Sequence, residues 1–167
     1  MKNYEFMKNI ILYILPIILI LALFAACTKE DASAIRTIPV PERGNYLVFG
    51  NQYGACVGDC RELYLLTAEN LYQDSDIPNT AELTFNSHPL NAESFKLADT
   101  LFHLPTSLIS NSVDPNAIIQ QIADFDYFIQ GRINGDEFKL TYDEIDSTIN
   151  HELYNYSKLL KNVLSKF

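Results

Sequence analysis

The stretch FDYFIQGRINGDEFKLTYDEI, Phe125 to Ile145, constrains the fold more than any other part of the chain. Asn134-Gly135 is the favoured central pair of a two-residue type I′ hairpin, a turn that needs positive φ at both positions. The turn predicts a register. Ile133 faces Asp136, and counting outward Arg132 meets Glu137, Gly131 meets Phe138, Gln130 meets Lys139, Ile129 meets Leu140 and Tyr127 meets Tyr142. Ile133, Ile129, Leu140, Phe138, Tyr127 and Tyr142 then share one face, and Arg132, Glu137, Gln130, Lys139 and Thr141 share the other. Such a division predicts a sheet buried on one side, with an Arg132–Glu137 pair on the wet side.

Extended runs also precede this hairpin. YLVFGNQYGAC, CRELYLLT and LYQD, from Tyr46 onward, are separated by short turn-like breaks and predict a meander, and AELTF at 81–85 adds a short strand. Leu90-Asn91 opens a helix with Asn91 as N-cap and Leu90 placed to pack on Phe95. Pro105 ends that helix or starts a turn at Thr106 to Ile109, and Asp114-Pro115 predicts a second capped helix through Ile122. At the C-terminal end Ile149, Leu153, Tyr156, Leu160, Val163 and Phe167 recur at helical spacing, predicting an amphipathic helix of four to five turns laid on the hairpin's apolar face. The expected fold class is α+β: an antiparallel sheet of four to six strands built from hairpins, with helices packed on one face.

The N-terminal end has a different character. Lys2 and Lys8 precede an uncharged stretch from Ile10 to Ala26, interrupted only by Pro16, which is the layout of a signal peptide. A membrane span needs about 20 apolar residues, so an uncleaved anchor is the second reading. Ala25-Ala26-Cys27 resembles the lipobox of bacterial lipoproteins, with Phe24 where Leu usually stands. The resemblance implies cleavage before Cys27 and a diacylglycerol on its thiol. Lys29-Glu30-Asp31 resembles the export signal of some Bacteroidota lipoproteins, which implies an outer-membrane location, on the cell surface or facing the periplasm. The predicted organisation is therefore a signal peptide at 1–26, a lipidated Cys27 with a flexible tether at 27–44, and one α+β domain at 45–167.

Composition removes several functions. A formal net charge of −9 disfavours nucleic-acid partners, which need clustered Lys and Arg. Cys56 and Cys60 form an even remainder in an exported chain and read as a structural disulfide. They flank a three-residue break, and so small a loop gives about 2 kcal/mol. The rival reading is a redox or metal-binding pair, against which His88, His103 and His151 are scattered and supply no tetrahedral spacing. Asp143, Glu144 and Asp146 read as acidic residues at a helix start in preference to a calcium loop. No nucleophile elbow, phosphate loop or His-Glu-x-x-His motif occurs, so an enzyme is the minority reading, a hydrolase third in order, and no cofactor is expected. Tyr53 and Phe128 are candidate contact residues, Phe128 because it falls on the polar face of its hairpin.

Taken together, YGACVGDC, LYLLT and NLYQD, the capped helix ending at Leu104-Pro105, the Asn-Gly hairpin and the final helix resemble small lipoproteins of Bacteroidota. This resemblance implies location and a compact α+β domain and transfers no catalytic residue. The expected function is a membrane-anchored, non-catalytic interaction module of the cell envelope, its partner an unknown protein or glycan.

Overall fold

A computed structural model describes residues 36–53, 60–75, 82–120 and 125–167, which all belong to one compact unit. The signal-like stretch, Cys27, the following residues to 35, Cys56 and Ile122 lie outside the described residues. A five-stranded antiparallel sheet forms the centre, in the order β4 (Leu71–Gln73), β3 (Arg61–Thr67), β2 (Tyr46–Tyr53), β7 (Phe125–Ile133), β8 (Asp136–Tyr142). The Asn-Gly hairpin has the expected register, from Ile133 with Asp136 to Tyr127 with Tyr142. Asn134 and Gly135 have φ of 54° and 95°, as the turn demands. Both sequence-distant halves of the sheet meet at β2, where Phe49 lies between Tyr64 and Ile129.

One face carries the helices. Asn91 caps α1 (Ala92–Asp99) by accepting from the Ser94 amide at 2.9 Å, and a 3-10 turn follows at Thr100–Phe102. Pro105 precedes the single turn of α2 (Thr106–Ile109). The last helix, α3 (His151–Leu164), starts at Asn150, whose side chain accepts from the Leu153 amide at 2.9 Å. Leu153, Tyr156, Leu160 and Val163 are buried in one core with Leu47, Phe49, Ile129 and Leu140. The ends of the expected stripe lie beyond the helix: Ile149 is 44% exposed and Phe167 37%. Phe167 still places its ring 4.7 Å from that of Tyr64.

The other face departs from expectation. Instead of facing water it is covered by an arm made of β1 (Thr37–Pro39) and β5 (Thr84–Asn86), paired antiparallel. The arm springs from the β4 edge, where Asp74 bridges Phe85 and the Ser75 amide donates to the Thr84 carbonyl at 3.1 Å. Phe85, Ile38, Val40 and Leu83 pack against Val48, Leu63, Leu65 and Phe128, forming a second core. The tether expected to run to Gly44 thus gives way to ordered structure from Arg36, whose carbonyl accepts from the Ser87 amide at 2.8 Å. β2 and β3 present apolar side chains to both faces, and a sheet of that kind needs two covers.

Asp114-Pro115 opens one 3-10 turn, Pro115–Ala117, after which Ile118–Ile119 (β6) pairs with Glu144–Ile145 (β9) instead of continuing as helix. Asp143, Glu144 and Asp146 are therefore not a helix-start cluster: Asp143 is buried, Glu144 sits in β9, and Asp146 accepts from the Thr148 amide and hydroxyl at 2.8 and 2.7 Å.

Candidate functional site

Alternation along the strands assembles a row of polar side chains on the arm-covered face. Gln52 pairs with Arg61 on one side and with Asp126 on the other, while Gln130 pairs with Lys139. Cross-strand partners share a face, so these residues all point toward the arm. Between them and the arm runs a groove of about 610 Å³. Its floor is Gln52, Phe128 and Gln130, its far wall includes Pro39, Val40 and Leu83, and Arg61 and Lys139 stand along it. Glu42 and Glu82 also line it, and among the described residues the lining contains no serine, cysteine or histidine.

The cations are held in place. Arg61 Nε lies 3.8 Å from Asp74 Oδ2, and Asp74 is itself 3% exposed with its Oδ1 accepting from the Ser75 amide at 2.8 Å. Lys139 places its Nζ 5.4 Å from the centre of the Phe128 ring, a cation–π separation. Each glutamine supplies an amide with two donors and an acceptor carbonyl, a set suited to polar chain-like ligands. Arg132 fixes the end of the groove by donating to the Glu42 carbonyl at 2.6 Å.

One residue beyond the floor, Asp126 and Asp143 form a second notable pair. The register that pairs Tyr127 with Tyr142 brings them side by side. The Asp126 carboxyl is hydrogen-bonded to Asp143, which, with burial and the neighbouring negative charge, raises its pKa above the ordinary aspartate value. A hydrogen bond between two carboxyl groups needs a proton on one of them. On the helix side of the sheet, burial and the hydrogen bond to Glu62 push the Tyr64 hydroxyl well above its usual range, and burial does the same to Tyr142 and Tyr156.

The sequence-derived candidates fall in different places. Tyr53 ends β2 and is 37% exposed, its amide donating to the Cys60 carbonyl at 2.7 Å. Cys60 is disulfide-bonded. Phe128 is only 2% exposed, because the arm closes over it, so it is a core residue that shows only at the groove floor and not an open contact surface. Among the described residues no group of three or more His, Cys, Asp and Glu side chains is arranged to hold a metal ion, and no helix is long and apolar enough to cross a membrane. Gln130 and Lys139 were legible as one face; that a wall stands opposite them was signalled only by the two-sided apolar runs of β2 and β3. A second hollow, of about 680 Å³, lies between α1 and Phe167, but no residue lining it is buried. Set against protein-family models, curated proteins and solved structures, the chain matches none.

Proposed function

We propose that the chain is an envelope lipoprotein held to the outer membrane through Cys27, and that its folded unit is a non-catalytic binding module using the groove between arm and sheet. The observation that carries the binding reading is the lining, which among the described residues combines amides, cations and apolar walls with no serine, cysteine or histidine. The lipid anchor rests on the Ala25-Ala26-Cys27 sequence and the charged residues after it. An acylated Cys27 would keep the arm close to the membrane, since the chain from there to Arg36 reaches about 30 Å at full extension.

Intact mass of the protein taken from membranes, before and after reduction and alkylation, tests the anchor. A chain beginning at diacylated Cys27, with alkylation only after reduction, is the expected result; an unprocessed chain with free thiols overturns it and favours the redox or metal-handling rival. A hydrolase reading has one observation in its favour, the Asp126–Asp143 pair. Turnover of chromogenic glycosides or peptides that disappears in Asp126→Asn would bring it forward.

A further inference from the structure

Resting on the reading of the groove as a binding site, we propose that its ligand is an extended peptide segment that adds as a strand to the free edge of β1. In an antiparallel pair, residues alternate between sites that exchange hydrogen bonds with the partner strand and sites whose main-chain groups turn away. The Ser87 amide donates to the Arg36 carbonyl at 2.8 Å, so Arg36 with Ser87 is a bonded pair. Thr37 with Asn86 and Pro39 with Thr84 are then the alternate pairs. The Thr84 carbonyl agrees, since it turns away from β1 to accept from the Ser75 amide.

On the free edge of β1 this leaves the Thr37 N–H and C=O and the Pro39 C=O. Among the described residues no strand pairs with that edge. Pro39, which has no N–H to offer, both lines the groove and limits the edge to a short register.

The floor matches a strand in length and chemistry. Phe128 pairs with Gly50, so Gln52 and Gln130 lie two residues away in opposite directions along the sheet. Four steps at about 3.4 Å span about 14 Å, the length of about four extended residues. A peptide bonded to β1 would point alternate side chains at this floor, where the two amides can pair with them, which is the division of labour in strand addition. A glycan fits less well, because among the described residues the one aromatic ring in the lining is that of Phe128, 2% exposed, which offers no open face for a sugar to stack on.

The test pans a displayed random octapeptide library against the full-length protein in detergent. A selected octapeptide is then titrated by fluorescence anisotropy into the wild type, Thr37→Pro, Gln130→Ala and the distant control Asn116→Ala. Thr37→Pro removes the outward N–H while leaving the β5 side of the strand its bonds. The expected result is a selected peptide whose Kd weakens about tenfold or more in both groove variants and is unchanged in the control. Failure to select any peptide, or a Kd the same as in the wild type in either Thr37→Pro or Gln130→Ala, overturns the proposal. Binding of an immobilised oligosaccharide that weakens in Gln130→Ala but not in Thr37→Pro would also overturn it while leaving the groove reading intact; loss of that reading would instead show as neither class of probe responding to Gln130→Ala.

Discussion

Arg132 near the end of β7 donates from Nη1 to the Glu42 carbonyl at 2.6 Å, while its Nε and Nη2 both hold the Glu137 carboxylate across the hairpin. Its guanidinium also lies over the Tyr46 ring, 5.5 Å from the centre. One side chain thus ties the turn after β1 to the strand pair β7–β8. Replacing it with alanine should loosen the arm without melting the sheet. In Arg132→Ala, amide exchange at Ile38 and Phe85 should quicken while that at Phe49 and Ile129 is unchanged; equal exchange at all four would remove the strap role.

Phe128 decides whether the second core contributes to stability. With its side chain closed in by Val48, Leu63, Leu65 and Phe85, truncation should leave a cavity, and Phe128→Ala should cost about 3–5 kcal/mol in denaturant unfolding. A ring on a wet face would cost less than about 0.5 kcal/mol. The urea midpoint separates the two.

Phe128 shows what local alternation leaves out. Within the hairpin it stands among Arg132, Gln130, Lys139 and Thr141, so local alternation assigns it to water. The contrary signal lies in β2 and β3, where Tyr46, Leu47, Val48 and Phe49 leave no polar side. Register, caps and the α3 stripe were legible because turn chemistry and helical periodicity are local. The arm was not, since β1 and β5 are three residues each and their burial depends on partners far along the chain. The groove inherits that limit: Gln130 and Lys139 can be read onto one face, but Pro39, Val40 and Leu83 opposite them cannot.

Gly50 should be irreplaceable for a backbone reason. Its φ is +153°, and a Cβ there would sit 2.0 Å from the Glu62 carbonyl oxygen on the neighbouring strand. That oxygen is part of the β2–β3 ladder and has no rotamer into which to retreat. Gly50→Ala should therefore cost more than about 4 kcal/mol or abolish folding, whereas Gly135→Ala, with open space around it but φ of +95°, should retain the fold with a modest loss of stability. Comparable melting curves for the two variants would contradict this.

The Asn150 cap gives a smaller and cleaner effect. Its side chain satisfies the Leu153 amide, one of the orphan donors at the start of α3. Asn150→Ala should cost about 1 kcal/mol by chemical denaturation, and Asn150→Asp should recover most of it.

Two aspartates should give pH dependences of opposite sign. Asp126 has a raised pKa in the folded state because it is hydrogen-bonded to Asp143, so the native state holds a proton that the unfolded chain releases near pH of about 4. Its contribution is fully present below that value and is lost as pH rises through the folded pKa. Asp146 is lowered by its hydrogen bonds from Thr148, so its contribution is present above the unfolded pKa and is lost as pH falls through the folded one. In Asp126→Asn the amide can donate to Asp143 at any pH. That variant should gain stability relative to the wild type as pH rises from the unfolded pKa to neutrality. Thr148→Ala should instead lose stability relative to the wild type at neutral pH, with the difference shrinking in acid. Unfolding free energies measured between pH 3 and pH 7 on the three proteins give the two difference curves, and parallel slopes for both variants would show that the folded state does not hold the Asp126 proton.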